Sequence, residues 1–148
     1  MEEIKKLSGE AREHLLGRII PFWRGLRDDV NGGWYGYMSY GLETDKDAVK
    51  GCILNSRITW FFANAYLCCK NGLIAAGECE KHGYTPEDIL AEARHGYEFL
   101  KEHCLDRTNG GIYWSLHADG TPEDTTKHTY NQAFCIYALS SYYEASGD

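Results

Sequence analysis

Arg57 is the side chain whose setting in the sequence points most directly to chemistry. It lies within the apolar segment 51–70, where an unpaired guanidinium group would be costly to bury. Trp60, Phe61 and Asn64 follow it at helical spacing and so share its face. A cation beside an aromatic ring and an amide suits a ligand that is rich in hydroxyl groups or carries an oxyanion. The alternative is a structural ion pair with a carboxylate on a neighbouring helix.

Two tyrosines and a tryptophan are further candidates for ligand contacts. Tyr35 and Tyr113 hold equivalent positions in two copies of one motif, so a repeated packing role is the simpler interpretation. Trp114 follows Tyr113 and should point to the opposite face of an extended strand. Only one of that pair can therefore face a given pocket.

The histidines and lysines give no independent catalytic site. His128 is the only histidine near the start of a predicted inner helix, and Lys50 and Lys127 recur at similar positions that indicate a structural role. Four further histidines are expected to be solvated, on polar helix faces or in a loop: His14, His82, His95 and His103. The sequence contains no glycine-rich phosphate loop, H-E-x-x-H or G-x-S-x-G motif, and no carboxylate pair suited to glycoside hydrolysis can be identified.

The composition excludes several classes of protein. A net charge of −7 argues against nucleic-acid binding, and no apolar run approaches the ~18 residues that a membrane span requires. The N-terminal segment lacks the apolar core of a signal peptide, so we expect a soluble, cytoplasmic protein. The six cysteines include no C-x-x-C pair and are expected to be reduced and mostly buried. No motif in the sequence indicates a metal or another cofactor. Aromatic residues make up 14% of the chain, which is compatible with the stacking of sugars on aromatic rings.

An internal repeat organises the chain. The pattern D-x-x-N-G-G-apolar-Y occurs at residues 28–35 and again at 106–113, an offset of 78 residues. Asn followed by two glycines supplies residues that accept positive φ, so each copy should form a tight turn into a strand. Short β-hairpins are predicted to start within 34–40 and 112–118, the second turning at Asp119-Gly120.

Helices flank both copies of the motif. Segments 4–27 and 86–104 carry apolar residues at helical spacing with one polar face, which is typical of outer helices. Pro21 should kink or interrupt the first, while Thr85 should cap the second. The segments 51–70 and 125–143 are apolar almost all round and are predicted to be inner helices that are buried on most sides.

The predicted architecture is therefore all-α, with tandem helical hairpins that form a solenoid or part of a closed α/α toroid. We expect one domain, 1–148, with the first repeat at about 4–70 and the second at about 86–146.

Three segments carry a resemblance to a known family. HLLGRIIPFWRGLRDDVNGGWYGY, KGCILNSRITWFFANAY and the region 106–143, which ends in KHTYNQAFCIYALSSYY, are similar to the N-acylglucosamine 2-epimerase family. The match is closest to its cellobiose 2-epimerase branch and covers nearly the whole chain, with 71–84 as the weakest stretch.

The resemblance implies an incomplete (α/α)6 toroid, since that family folds as six helical hairpins around a central pocket. It also implies reversible epimerisation at C2 of a reducing-end sugar, glucose to mannose in cellobiose or a related β-linked disaccharide, without metal or nicotinamide. The arginine of the family's N-S-R motif falls on Arg57, with the implied role of holding sugar oxygens and stabilising negative charge as the C2 proton leaves. The tyrosine of the second N-G-G-x-Y motif falls on Tyr113, which implies a substrate contact. Arg57 is thus the predicted catalytic residue, and the predicted substrate-binding residues are Tyr113, Trp60, Asn64 and Trp114.

The two catalytic histidines of the family come from later hairpins, and neither His117 nor His128 matches them. We therefore expect this chain to be a truncated part of an epimerase, near one third of the ring, and to lack activity by itself. An open arc of two hairpins leaves apolar flanks uncovered, so self-association is also expected.

Two other interpretations stay open at this point. One is a different enzyme class on the same toroid, such as a glycoside hydrolase or lyase, because fold does not fix chemistry. The other is a non-enzymatic repeat module that binds carbohydrate or protein on its concave face.

Overall fold

The computed structural model describes residues 1–148 and is mainly helical, which confirms the predicted class. The helices, in chain order, are α1 (Glu2–His14), α2 (Ile20–Arg24), α3 (Cys52–Lys70), α4 (Ala76–Glu80), α5 (Pro86–Phe99) and α6 (Thr129–Ser146). The strands, each of two or three residues, are β1 (Tyr37–Met38), β2 (Thr44–Asp45), β3 (Lys50–Gly51), β4 (Ser115–Leu116) and β5 (Pro122–Asp124). α3 packs against both α5 and α6, and α5 also contacts α6. The first outer helix joins this core through Leu16 and Ile20, which share a buried cluster with Phe62 of α3.

The first outer helix is irregular next to Pro21, and it packs over less of its length than its stripe predicts. A π-helical turn at Leu15–Ile19 lies between α1 and α2, directly before Pro21. Pro21 has no N–H to donate to this turn, and the Leu16 carbonyl accepts a hydrogen bond from the Tyr84 hydroxyl at 2.7 Å. The predicted stripe also included Ile4 and Leu7, but α1 buries no residue. The packed face begins only at Leu16, because α3, α5 and α6 make no extensive contact with α1.

The second outer helix follows its prediction closely. The Asp88 amide donates to Thr85 Oγ1 at 3.2 Å, and the Thr85 amide donates to Asp88 Oδ2 at 2.7 Å, which completes the capping box. Ile89 and Ala93 are buried on its inner face. α5 then runs into a second π-helical turn at Leu100–Cys104.

The two inner helices are buried to different degrees. α3 is covered on most sides, with Phe62 and Ala63 fully buried. α6 has one open side, where Tyr130 is 56% exposed and Ile136 is 66% exposed. The expectation that α6 is buried on most sides was therefore wrong, because no further hairpin of this chain packs against it.

One of the two small sheets joins the two repeats. β1 pairs with β2, and β4 pairs with β5 around the predicted Asp119-Gly120 turn, where Gly120 has φ +85°. β3 also pairs with β4, with Lys50 opposite Leu116. This contact between repeats has no local sequence signal, since the two strands lie far apart in the chain.

Both D-x-x-N-G-G motifs form the same turn, and an inner helix holds each one. The amides of Val30 and Asn31 donate to Asp28 Oδ1, as those of the corresponding residues do to Asp106. Asn55 Oδ1 accepts the Trp34 amide at 2.9 Å, and Gln132 Oε1 accepts the Ile112 amide at 2.7 Å. The two turns are therefore fixed to α3 and α6 by equivalent amide side chains.

The cysteines and the character of the helices agree with what the composition predicts. All six cysteines are free, and four of them are buried. None of the helices combines the length and the apolar character that crossing a bilayer would need.

Candidate functional site

Arg57 lies at the mouth of an open pocket of about 400 Å³ between α3, α6 and the end of the first outer helix. The pocket, called the Arg57 pocket below, is lined by Trp23, Leu54, Arg57, Ile58, Trp60, Phe61, Phe134 and Tyr137. Seven of these eight residues are hydrophobic. An apolar pocket with one convergent polar group is typical of a small-molecule site.

The environment of Arg57 differs from the expected one. The residue is exposed, so the cost of burying a guanidinium group does not arise. No carboxylate lies within ion-pair distance, and thus the alternative of a structural salt bridge finds no support. The guanidinium carbon instead lies 5.7 Å from the centre of the Phe134 ring. All five N–H donors of Arg57 are consequently available to a ligand.

Trp60 lines the same pocket, as its spacing predicts. Its ring stacks on Tyr137, with the ring centres 4.9 Å apart and the planes at 21°. Burial raises the pKa of Tyr137, while the positive charge of Arg57 acts in the opposite direction. Asn64 lies one turn further along α3 and is not part of the pocket, since its Nδ2 donates to the Trp60 carbonyl at 2.9 Å.

Tyr113 and Trp114 are not among the residues that line the Arg57 pocket. Tyr113 packs beside the second turn, where Lys127 Nζ is 4.2 Å from its ring centre. Burial, followed by the nearby Asp106 carboxylate, raises the pKa of Tyr113. Trp114 contacts the His128 ring at 4.5 Å between centres. The structure thus brings Arg57 and Trp60 together, and it places Asn64, Tyr113 and Trp114 outside their pocket.

The histidines do not approach the Arg57 pocket. His95 and His103, expected to be solvated, are instead half-buried, and their ring nitrogens lie 2.9 Å and 3.2 Å from the carbonyls of Gly33 and Gly120. Together with Glu98, Glu102 and Asp119, these two histidines border a separate polar cavity of about 340 Å³. No group of three potential metal ligands occurs there or elsewhere in the chain.

Sequence reasoning missed Phe134 and Tyr137, although the repeat contains a signal for both. The two inner helices are related by an offset of 77 residues, which matches Asn55 with Gln132. The same offset matches Arg57 with Phe134 and Trp60 with Tyr137. Each matched pair is in contact across the two helices.

The geometry suits a ligand with several hydroxyl groups. Trp60, Phe61 and Phe134 present ring faces on which apolar C–H surfaces can stack. Arg57 adds a fixed positive charge with free donors, which favours a ligand oxygen that is negative or becomes so during a reaction.

Comparisons with known proteins point to the same chemistry. The family model described as N-acylglucosamine 2-epimerase (GlcNAc 2-epimerase) matches residues 32–148. A cellobiose 2-epimerase of Ruminococcus albus is 53% identical over 139 residues, which cover 94% of this chain and 32% of that protein. A cellobiose 2-epimerase of Dictyoglomus turgidum is 40% identical over 144 residues, covering 97% of this chain and 33% of that protein.

Solved structures agree with these sequence matches. The crystal structure of a sugar epimerase from a ruminal bacterium superimposes with a TM-score of 0.83 at 53% identity, over 96% of this chain and 33% of that one. The cellobiose 2-epimerase of Bacillus thermoamylovorans gives a TM-score of 0.85 at 38% identity, over 97% and 33%. The chain therefore spans about a third of the length of the relatives that it matches.

Proposed function

Since this chain belongs to the N-acylglucosamine 2-epimerase family, we propose that it supplies the N-terminal third of a sugar 2-epimerase. The proposed substrate is the reducing-end glucose unit of cellobiose or a related β-linked disaccharide, which is converted to mannose. The observation that supports this most is Arg57, which is unpaired at the mouth of an aromatic pocket. Six free thiols suit a reducing compartment, so a cytoplasmic location is part of the proposal.

The proposed chemistry is a proton transfer at C2 of the open-chain sugar. The C2–H bond lies next to the C1 carbonyl, so a base that removes this proton leaves an electron pair that is delocalised onto O1. Return of a proton to the opposite face of C2 gives the epimer, with no net change in atoms or electrons. Arg57 is proposed to hold O1 and to stabilise its negative charge in the transition state.

Trp60 is proposed to stack on the apolar face of the same sugar unit. Its ring is held by Tyr137, so little conformational freedom is lost when a ligand binds. Asn64, Tyr113 and Trp114 do not line the Arg57 pocket, and their contacts with the sugar stay predictions.

The acid and base of the reaction are not provided by the described residues. No histidine and no carboxylate lines the Arg57 pocket. We accordingly propose that the isolated chain holds part of the sugar site but does not exchange the C2 proton.

A chimera tests this function. The matching N-terminal third of the Ruminococcus albus cellobiose 2-epimerase is replaced by this chain, which is 53% identical to it. With cellobiose as substrate, the expected product is the disaccharide that carries mannose at its reducing end. Release of free glucose would instead support a hydrolase, and a folded chimera without either product would contradict the proposal.

Self-association of the isolated chain is a further part of the proposal. On α3, Ser56, Thr59 and Ala63 are fully buried. The matching residues of α6, at the offset of 77, are exposed: Ala133, Ile136 and Ser140. In the first repeat, this face of α3 packs against the hairpin that follows. In the second repeat, the equivalent face of α6 is exposed. We propose that a second copy of this chain, which offers hairpins of the same kind, covers it.

A further inference from the structure

Arg57 and Phe134 occupy equivalent positions on the two inner helices, and they contact each other. The distance from the guanidinium carbon to the ring centre is 5.7 Å. Trp60 and Tyr137 repeat this relationship three residues further along, with ring centres 4.9 Å apart. Two successive contacts between α3 and α6 are thus made by side chains at equivalent positions of the repeats. Only the contact between Arg57 and Phe134 includes a charged group.

Phe134 is the partner that can determine where the Arg57 guanidinium lies. An arginine side chain is long and flexible, and Arg57 has no ion pair that would restrict it. An aromatic face attracts the cation through its quadrupole and accepts no conventional hydrogen bond. A carboxylate in the same position would hold the guanidinium more firmly, but it would occupy donors that a ligand needs.

The Phe134 ring is itself held in place by its own helix. Tyr130 lies one turn before it, with ring centres 5.3 Å apart and the planes at 85°. Tyr137 lies one turn after it, at 5.7 Å and 86°. Two edge-to-face contacts from opposite sides restrict rotation of the ring, so its face stays directed at Arg57.

We propose that Phe134 is a positioning residue, which holds the Arg57 guanidinium over its ring and leaves the N–H donors free for an oxygen of the sugar. Its role in the reaction rests on the proposed function, because it acts only through Arg57. The contact itself exists without the reaction and can be measured in the isolated chain.

The first measurement is the NMR spectrum of the Arg57 side chain in the 148-residue protein. Protons above an aromatic face resonate upfield, so the Arg57 Hδ and Hε signals should move downfield in Phe134→Leu and stay near the wild-type position in Phe134→Tyr. Tyr40→Leu is the control, since Tyr40 is fully exposed in the turn between β1 and β2 and has no aromatic contact. Circular dichroism checks that each variant is folded, and Phe134→Met serves if Phe134→Leu is not. Arg57 signals that are the same in wild type and the folded Leu or Met variant would overturn the proposal.

The second measurement is the activity of the chimera described above. Loss of the ring should lower kcat/KM by about 2- to 5-fold, the range expected for one exposed cation–π contact. Phe134→Tyr should keep the wild-type activity, and Tyr40→Leu should leave it unchanged. If the chimera is inactive with every residue at position 134 while the NMR shifts behave as expected, the proposed function fails and the positioning contact stands. If the chimera is active and Phe134→Leu has the wild-type kcat/KM, Phe134 does not position Arg57 for the reaction.

Discussion

Two lysines make the same interaction in very different surroundings. Lys50 Nζ lies 2.6 Å from Asp28 Oδ2, and the exposures of the two side chains are 0% and 1%. Lys127 Nζ lies 3.0 Å from Asp106 Oδ2, and the lysine side chain is 32% exposed. Lys50 also donates to the Gly32 carbonyl at 2.8 Å, which ties the first turn to β3. The structural role that the sequence indicates for the two lysines is therefore confirmed in both repeats.

Replacing Lys50 by methionine should destabilise the protein strongly. The change would leave the Asp28 carboxylate buried without its counter-charge, and removing one partner of a buried ion pair costs roughly 3–5 kcal/mol. The free energy of unfolding from urea denaturation, followed by circular dichroism, measures this loss.

Lys127→Met is the matched control for Lys50→Met. Both carboxylates keep the same three hydrogen bonds from their turns, so these do not distinguish the variants. Water can reach the Lys127 side chain, which is 32% exposed, and the loss should therefore be clearly smaller. Equal losses in the two variants would show that burial does not distinguish the two ion pairs.

At this scale, the site is only partly predictable from the sequence. Arg57 is recognisable because a charge in an apolar helix is unusual, and Trp60 follows from helical spacing. Phe134 and Tyr137 look like ordinary core residues, and their contact with Arg57 and Trp60 depends on how α3 and α6 pack. The change of offset from 78 at the turns to 77 at the inner helices also hides the match.

The N-G-G turns are the elements that fix each outer helix to its inner helix. Both contain a second glycine with positive φ, +67° at Gly33 and +73° at Gly111. A Cβ atom at Gly33 would lie 2.5 Å from Asn55 Oδ1, and one at Gly111 would lie 2.6 Å from Gln132 Oε1. The turns therefore need glycine for conformation and for close approach to the helix.

Gly33→Ala should destabilise the fold more than Gly110→Ala. Both positions have positive φ, which costs an alanine about 1–2 kcal/mol. A Cβ atom at Gly110 meets nothing within 4 Å, whereas one at Gly33 also clashes with Asn55 and with Phe99 at 2.7 Å. Thermal unfolding of the two variants measures the difference, and similar melting temperatures would contradict the close packing of the first turn.

Among the elements, those with local causes are the predictable ones. The turns, the Thr85 cap and the inner helices follow from neighbouring residues, and the structure contains all of them. The pairing of β3 with β4 is non-local, and no pattern within either strand predicts it. The amphipathic stripe of α1 predicts a packing face, but the sequence of α1 cannot show whether another helix lies against it. Ile4, on this stripe, remains 72% exposed.

The molecule as a whole is an open arc, and this shape explains its least protected surface. Inner helix α3 is covered from both sides, whereas α6 presents Tyr130, Ile136 and Tyr143 to solvent. The structures that this chain resembles are (α/α)6 barrels, in which hairpins follow one another around a ring. The two hairpins described here thus correspond to part of such a ring.

The isolated chain should form oligomers through the open face of α6. Ile136→Glu places a charge at the centre of this face and should give a monomer, because burying an unpaired carboxylate is costly. Ile4→Glu is the control, since Ile4 is similarly exposed on α1, away from this face. Light scattering coupled to size-exclusion chromatography gives the mass of each variant. A wild-type protein that stays monomeric at high micromolar concentration would show that no second copy covers α6.

The measurement that tests the central role of Arg57 most directly is C2 proton exchange in the chimera. Cellobiose is incubated in heavy water, and deuterium at C2 of the reducing-end unit is followed by NMR. We expect exchange with the wild-type sequence and a reduction of the rate by about 100-fold or more in Arg57→Ala. The rate should be unchanged in Arg18→Ala, because Arg18 is an exposed arginine that lines a different surface region. Exchange at the wild-type rate in Arg57→Ala would contradict the account.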